Sequence, residues 1–187
     1  MIGKRRSSTE ELRLVVENSL FVGCRATQGG ALYIQNVSFS IDSCMFAANA
    51  VEQAGGGIYA AIKPWHTGLI RNSVFKGNSA NEGGGLKWSN AQIFLTNVSY
   101  RANSAVYGAD VASYGVALSS HLTELTGQES SGYPLTLTFE LLDHYGHRVT
   151  VAPFKYLTLQ TTSNVTISGN RDAVLNQGLF VFNGVNI

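Results

Sequence analysis

Apolar residues in the first half of the chain recur with a period near 25. Each repeat has an aliphatic residue, an aromatic residue five positions later, and a second aliphatic residue after a run of small residues. The aromatic positions are 25, 29 and 25 residues apart. The first aliphatic set is Val16, Ile41, Ile70 and Leu95, the aromatic set is Phe21, Phe46, Phe75 and Tyr100, and the second aliphatic set is Leu32, Ile58, Leu86 and Val111. Because such a period is typical of a solenoid with one coil per repeat, we expect each set to stack into a buried ladder.

These three ladders predict three short strands per coil. The resulting fold class is all-β, a right-handed parallel β-helix of about four coils over residues 12–114, after an N-terminal extension of residues 1–11. Glycine density and β-branched alternation argue against a helical repeat.

Glycine and asparagine mark the predicted corners of the coils. Paired glycines before the second aliphatic position suit tight turns, which need a positive φ or a close backbone approach. Asn49, Asn78 and Asn103 suit a left-handed corner, and their side chains can hydrogen-bond to one another along the solenoid axis. A second polar column is expected to face inward as a corner ladder, and it comprises Asn18, Ser43, Asn72 and Asn97.

The second half of the chain, residues 115–187, has a different pattern. After a stretch rich in Gly, Ser and Thr, apolar residues alternate from Leu135 to Leu141, and Asp143-His144-Tyr145-Gly146 predicts a hairpin turn. Short strands at this spacing predict a β-sandwich. Residues 134–149 and 169–182 resemble strands of bacterial or filamin-type immunoglobulin-like repeats. The resemblance implies a partial sandwich, which we expect to be completed by chain beyond residue 187.

The repeat motifs resemble those of a known group of surface proteins. Gly29-Gly30-Ala31-Leu32, Phe46-Ala47-Ala48-Asn49 and Phe75-Lys76-Gly77-Asn78 are similar to the GGA(I/L) and FxxN motifs of the chlamydial polymorphic outer-membrane proteins. Large surface proteins of ciliates and oomycetes are more similar, because their last coil often ends in a run like Tyr107-Gly108-Ala109-Asp110-Val111-Ala112-Ser113 before a β domain. The first repeat departs from FxxN at Cys24. The resemblance implies surface display and adhesion or structure, and it implies no catalytic residue.

Composition and charge narrow the function classes. Only 13% of residues are charged and the formal net charge is +1, so no strong field would attract nucleic acid or an anionic membrane. No apolar run is long enough for membrane insertion. Cys24 and Cys44 occupy different repeat positions, and both are expected to be buried small residues, with a disulfide left open. We expect no cofactor and no metal site.

Two outward columns are the candidates for chemistry. Glu17, Asp42, Arg71 and Thr96 precede the aromatic ladder by four positions, and they form either a surface charge ladder or, less favoured, the site of a polysaccharide lyase or hydrolase. Tyr33, Tyr59 and Lys87 follow the third ladder by one position and are expected to point outward, where they could contact a glycan or a partner chain. Asp143, His144 and His147 lack the converging ligands of a metal site and are expected to form a solvated turn.

Three N-glycosylation sequons begin at Asn36, Asn97 and Asn164. We expect higher glycan occupancy at Asn36 and Asn164 than at Asn97, because the column that contains Asn97 is predicted to face inward.

The favoured function is a non-catalytic structural or adhesive segment of a large extracellular or cell-surface glycoprotein, which could build a surface fibre. Its expected partners are neighbouring domains or copies of the same protein, covalent N-glycans and surface polysaccharide. The alternatives are a polysaccharide-active β-helix enzyme and a carbohydrate-binding module.

Overall fold

The chain forms a parallel β-solenoid of four coils, followed by antiparallel strands. The structure is a computed structural model that describes residues 12–90, 92–120, 135–151, 155–160 and 166–186 of the 187-residue chain. Within these ranges all regular structure is β, and no helix is present that could cross a membrane. The all-β solenoid predicted from the repeats is therefore confirmed.

Each coil contributes one strand to each of four parallel sheets. Sheet A contains β1 (Arg13–Glu17), β5 (Ser38–Asp42), β9 (Thr67–Arg71) and β13 (Gln92–Thr96). Sheet B contains β2 (Leu20–Val22), β6 (Met45–Ala47), β10 (Val74–Lys76) and β14 (Ser99–Arg101). Sheet C contains β3 (Arg25–Gln28), β7 (Ala50–Ala54), β11 (Ser79–Glu82) and β15 (Ser104–Tyr107). Sheet D contains β4 (Leu32–Gln35), β8 (Ile58–Ala61), β12 (Leu86–Ser89) and β16 (Val111–Ala112).

The register of sheets A, B and D matches the three predicted ladders. Val16 pairs with Ile41, Phe21 with Phe46 and Leu32 with Ile58, and the same positions continue through the following coils. The prediction of three strands per coil was wrong, because sheet C supplies a fourth. Most residues of β3, β7 and β11 are small or polar, and these strands therefore carry no apolar ladder that the sequence could reveal.

The spacing from Phe46 to Phe75 is four residues longer than the aromatic spacings before and after it. The structure shows where these extra residues lie. The pairing of β7 with both neighbouring strands of sheet C is irregular, as expected for a β-bulge. The turn between β8 and β9 is also extended. Both insertions leave the ladders of sheets A, B and D in register.

Stacked aromatic rings and an asparagine ladder fill the interior. Phe46 lies between Phe21 and Phe75 with ring centroids 5.0 and 4.8 Å away. Asn49 and Asn78 are fully buried. The Asn78 side chain donates to Phe46 O (2.9 Å) and to Asn103 Oδ1 (3.0 Å), and its Oδ1 accepts from the backbone N–H and the side chain of Asn49. The predicted hydrogen bonding along the axis is confirmed.

Residues in the left-handed region form the corners, but the asparagines of this inner ladder are not among them. The positive φ falls on the residue before each, namely Ala48, Gly77 and Ala102. The outer column behaves differently, since all four of its members have a positive φ and are exposed, namely Asn18, Ser43, Asn72 and Asn97. The expectation that this column faces inward was wrong, because a left-handed residue at this corner turns the backbone so that its side chain points to solvent.

Antiparallel strands follow the last coil. β17 (Gly115–Ser120), β18 (Leu135–Asp143) and β21 (Leu179–Val185) form a three-stranded sheet, and β19 (Tyr156–Thr158) pairs with β20 (Asp172–Val174). Their core also includes Tyr107 and Ala112 of the solenoid. This antiparallel region therefore packs against the last coil. Antiparallel strands are confirmed, whereas an immunoglobulin-like sandwich stays a prediction.

Candidate functional site

The tyrosine column on the outer face of sheet D begins with a ring pair. Tyr33 and Tyr59 are in register on neighbouring coils, and their ring centroids are 5.4 Å apart with the planes tilted by 45°. Tyr33 is 47% exposed, and Tyr59 is half-buried. The pair therefore places two contacting tyrosine rings at the surface of the first two coils.

Lys87, the third member of the column, does not point into solvent. It is in register with Tyr59 and with Ala112, but it is 7% exposed. Its ammonium group donates to Ser113 O at 2.7 Å, forms an ion pair with Glu82 at 2.7 Å, and lies 4.9 Å from the centre of the Tyr107 ring. The expectation of an exposed lysine was wrong because its side chain packs against Glu82, Tyr107 and Ser113.

A groove runs beside Tyr59 on the side of sheet C. It has a volume of about 270 Å³, and its lining combines polar side chains (Gln28, Gln53, Asn81, Glu82 and Lys87) with Ala54, Tyr59 and Val151. Gln28 Nε2 donates to Gln53 Oε1 at 2.6 Å, and Gln53 lies at the bulge of β7. The sequence could not reveal this groove, since sheet C was not predicted.

Of the residues predicted to form a solvated turn, His144 and His147 are exposed, whereas Asp143 fastens the antiparallel region to the solenoid. The hairpin turn itself is confirmed, because Asp143 N donates to His147 O and Gly146 N to Asp143 O. The side chain of Asp143 is buried, however. It accepts from Tyr107 Oη and from the backbone N–H groups of Ser113, Tyr145 and His147. The expectation of a solvated turn was therefore wrong for this carboxylate.

The contacts of Asp143 and Tyr107, at the junction between the solenoid and the antiparallel region, determine their protonation states. Burial alone would raise the pKa of Asp143, but the backbone N–H donors of Ser113, His147 and Tyr145 and the hydroxyl of Tyr107 outweigh it, so the pKa lies below its ordinary value. Burial, and then the negative charge of Asp143, raises the pKa of Tyr107. The junction thus holds an ionised carboxylate against a neutral phenol. Within the described ranges, no cluster of three or more His, Cys, Asp and Glu side chains could hold a metal ion.

A second groove lies where the solenoid meets the antiparallel region. Its volume is about 540 Å³, and its lining includes Trp88, Phe94, Tyr114 and His144. Trp88 packs edge-on against Tyr114 and His144, and its Nε1 donates to Tyr145 Oη at 3.0 Å. These residues come from separate elements, and the repeat pattern gave no signal that they would meet.

The charged column of sheet A has an ion pair between Asp42 and Arg71 at its centre. Glu17, Asp42, Arg71 and Thr96 are in register as predicted. Arg71 Nε lies 2.7 Å from Asp42 Oδ2, while Asn72 Nδ2 and Ser43 Oγ donate to Asp42 Oδ1. The hydrogen bond from Asn72 is the largest of the effects that hold the pKa of Asp42 below its ordinary value.

Two of the three sequons fall within the described residues. Asn36 and Asn97 are both exposed and both have φ 51°. The Asn97 side chain donates to Asn72 Oδ1 at 2.9 Å. Asn164 lies outside the described residues.

The cysteines differ in burial. Cys44 is buried and Cys24 is partly buried, and both are free thiols.

Comparisons of the chain with protein-family models, with curated proteins and with solved structures found no significant match.

Proposed function

We propose that this chain is a non-catalytic structural or adhesive segment of a large extracellular or cell-surface glycoprotein, able to serve as a building block of a surface fibre. The observation that carries the proposal is the unbroken stacking of four coils, in which the ring stack and the asparagine ladder run through the interior. Such stacking yields a stiff rod whose length grows with coil number. A rod of this kind suits a spacer or a display element.

The charged column gives specific support against the enzymatic alternative. Both carboxylate oxygens of Asp42 already accept hydrogen bonds, and Arg71 and Asn72 keep the group ionised. A general acid needs a raised pKa and a proton to give. Asp42 is therefore suited to fastening neighbouring coils rather than to protonating a glycosidic oxygen.

The exposed sequon at Asn36 supports the glycoprotein part of the proposal. Glycan attachment requires an accessible asparagine side chain, and Asn36 lies at an exposed corner. Asn97 is also exposed, but its amide nitrogen, the atom that would carry the glycan, donates to Asn72. We therefore expect occupancy at Asn36 to exceed that at Asn97.

Glycopeptide mass spectrometry on protein from the native source tests the proposal. Glycan at Asn36 supports passage through the secretory pathway, and the Asn36→Gln variant, expressed in the same cells, is the matched control for the assigned peptide. Unmodified Asn36, Asn97 and Asn164 would contradict the glycoprotein proposal. Turnover of pectin or alginate that disappears in Asp42→Ala would contradict the non-catalytic part.

A further inference from the structure

We propose that the groove beside Tyr59 binds a neutral polysaccharide chain, which lies along the solenoid axis across the rings of Tyr33 and Tyr59. This inference names a ligand class for the proposed adhesive role and rests on that role. The Tyr33–Tyr59 ring pair supplies apolar surface on two consecutive coils, in register along the axis of the solenoid. Sugar rings have apolar C–H faces that pack on aromatic rings, whereas their edges need hydrogen bonds.

A row of side-chain amides lies in the groove beside Tyr59. Gln28, Gln53 and Asn81 come from three consecutive coils and line the same groove. A side-chain amide has both a donor and an acceptor, which matches the two roles of a hydroxyl group. The bulge in β7 lies at this point, and bulges commonly redirect a side chain next to a binding site.

The charge of the groove favours one class of polysaccharide over others. Glu82 and Lys87 are the charged residues that line it, and their side chains form an ion pair at 2.7 Å. Because the two charges compensate each other, the groove offers no net attraction to an anionic or a cationic chain. Aromatic faces, amides and a compensated ion pair together match an uncharged polyol rather than an acidic polysaccharide.

Affinity electrophoresis and titration calorimetry on the whole chain test the inference with soluble neutral polysaccharides (β-glucan, xylan, mannan) and anionic ones (pectin, alginate). We expect retention by at least one neutral polysaccharide, and a loss of affinity on the order of tenfold or more in the double variant Tyr33→Ala/Tyr59→Ala. Tyr156→Ala is the matched control, since Tyr156 is a 73% exposed tyrosine in the antiparallel region. This control is expected to bind as the unmodified protein does.

A second variant keeps the test decisive if the double variant does not fold, as judged by its thermal unfolding. Gln53→Ala removes an exposed amide from the groove and is expected to weaken binding several-fold. The inference is overturned if no neutral polysaccharide is retained, if folded variants bind unchanged, or if only anionic polysaccharides bind. Glycan at Asn36 without polysaccharide binding would overturn this inference alone, whereas binding with bare sequons would overturn the glycoprotein proposal alone.

Discussion

The solenoid, β1–β16, and the antiparallel region, β17–β21, bury their side chains through different kinds of contact. In the solenoid each residue meets the equivalent residue of the next coil, as Phe46 meets Phe21 and Phe75. In the antiparallel region Phe139 pairs with Ser120 on one side and Phe180 on the other, and neither partner follows from a repeat. Side-chain contacts within the solenoid therefore join neighbouring coils, and its last two coils also contact the antiparallel region through Trp88 and Tyr107. Contacts within the antiparallel region follow no repeat.

Removing one ring from each region should give the largest effects and test whether damage stays local. Phe75→Ala and Phe182→Ala both empty fully buried positions, and each should lower the free energy of unfolding by about 3–5 kcal/mol. Because Phe75 stacks between Phe46 and Tyr100 of the neighbouring coils, Phe75→Ala should reduce amide hydrogen-exchange protection in β6, β10 and β14 more than in β18 and β21. Phe182→Ala should do the reverse. Equal loss across both regions in both variants would show a single cooperative unit.

Breaking the asparagine ladder should have the next largest effect. Asn78→Ala leaves the buried Phe46 carbonyl and the Asn49 N–H without their partner, so we expect a loss of about 2–4 kcal/mol in the free energy of unfolding, measured by urea titration. Asn81→Ala, at an exposed position in the same coil, is the control and should cost less than about 0.5 kcal/mol. Equal effects of the two substitutions would show that the ladder does not stabilise the solenoid.

Replacing a glycine by alanine in each region compares how closely neighbouring chain segments approach there. A Cβ on Gly84 would lie 2.4 Å from the carbonyl oxygens of Ala109 and Ser104. We therefore expect Gly84→Ala to lower the free energy of unfolding by about 1–3 kcal/mol. The three atoms nearest to a Cβ on Gly115 belong to the Leu141 side chain and not to the backbone, so we expect Gly115→Ala to lower the free energy of unfolding less than Gly84→Ala does. Thermal unfolding of the two variants makes the comparison.

Gly77→Ala is the control inside the solenoid for the methyl-group comparison. Its φ is positive, but open space surrounds it, and Ala48 and Ala102 hold the equivalent corner in other coils. The cost should stay below about 1 kcal/mol. A cost as large as that of Gly84→Ala would show that backbone conformation, not close approach, dominates.

A substitution at the junction between the regions should have the smallest effect on the free energy of unfolding, and this effect should depend on pH. The folded-state pKa of Asp143 lies below the ordinary value of 3.8, so its ionised form stabilises the folded protein above that pH. This contribution is lost as the pH falls through the folded-state pKa. Asp143→Asn should cost about 1–2 kcal/mol near neutral pH and should make stability depend less on pH in the acid range.

Asp42→Asn is the comparison for the junction experiment. The pKa of Asp42 is also lowered, chiefly by the hydrogen bond from Asn72, but the group lies at the surface in the solenoid. Urea titrations between pH 2 and 7 should show a smaller change in acid sensitivity for Asp42→Asn than for Asp143→Asn. A larger change in Asp42→Asn would contradict the assignment of Asp143 as the fastening carboxylate.

The surroundings of a residue could be predicted from the sequence where its partner is the equivalent residue of the next coil. The spacing of Ile41, Phe46 and Ile58 against the next coil predicted three ladders and the register of the charged and tyrosine columns. It failed for sheet C, because Arg25–Gln28 and Ser79–Glu82 present small and polar residues with no apolar alternation. It also failed for the corner of Asn97, since spacing alone does not reveal which side of a left-handed turn faces solvent.

The sequence by itself determined the period, the stacked coils and most of the register, because repetition places residues of equal role next to one another in space. Only the tertiary structure decided the burial of Lys87 and Asp143 and the shape of both grooves. The physical reason is that these environments arise where the antiparallel region covers the last coils, or where a bulge shifts one strand. Such contacts join residues far apart in the chain, and no local pattern specifies them.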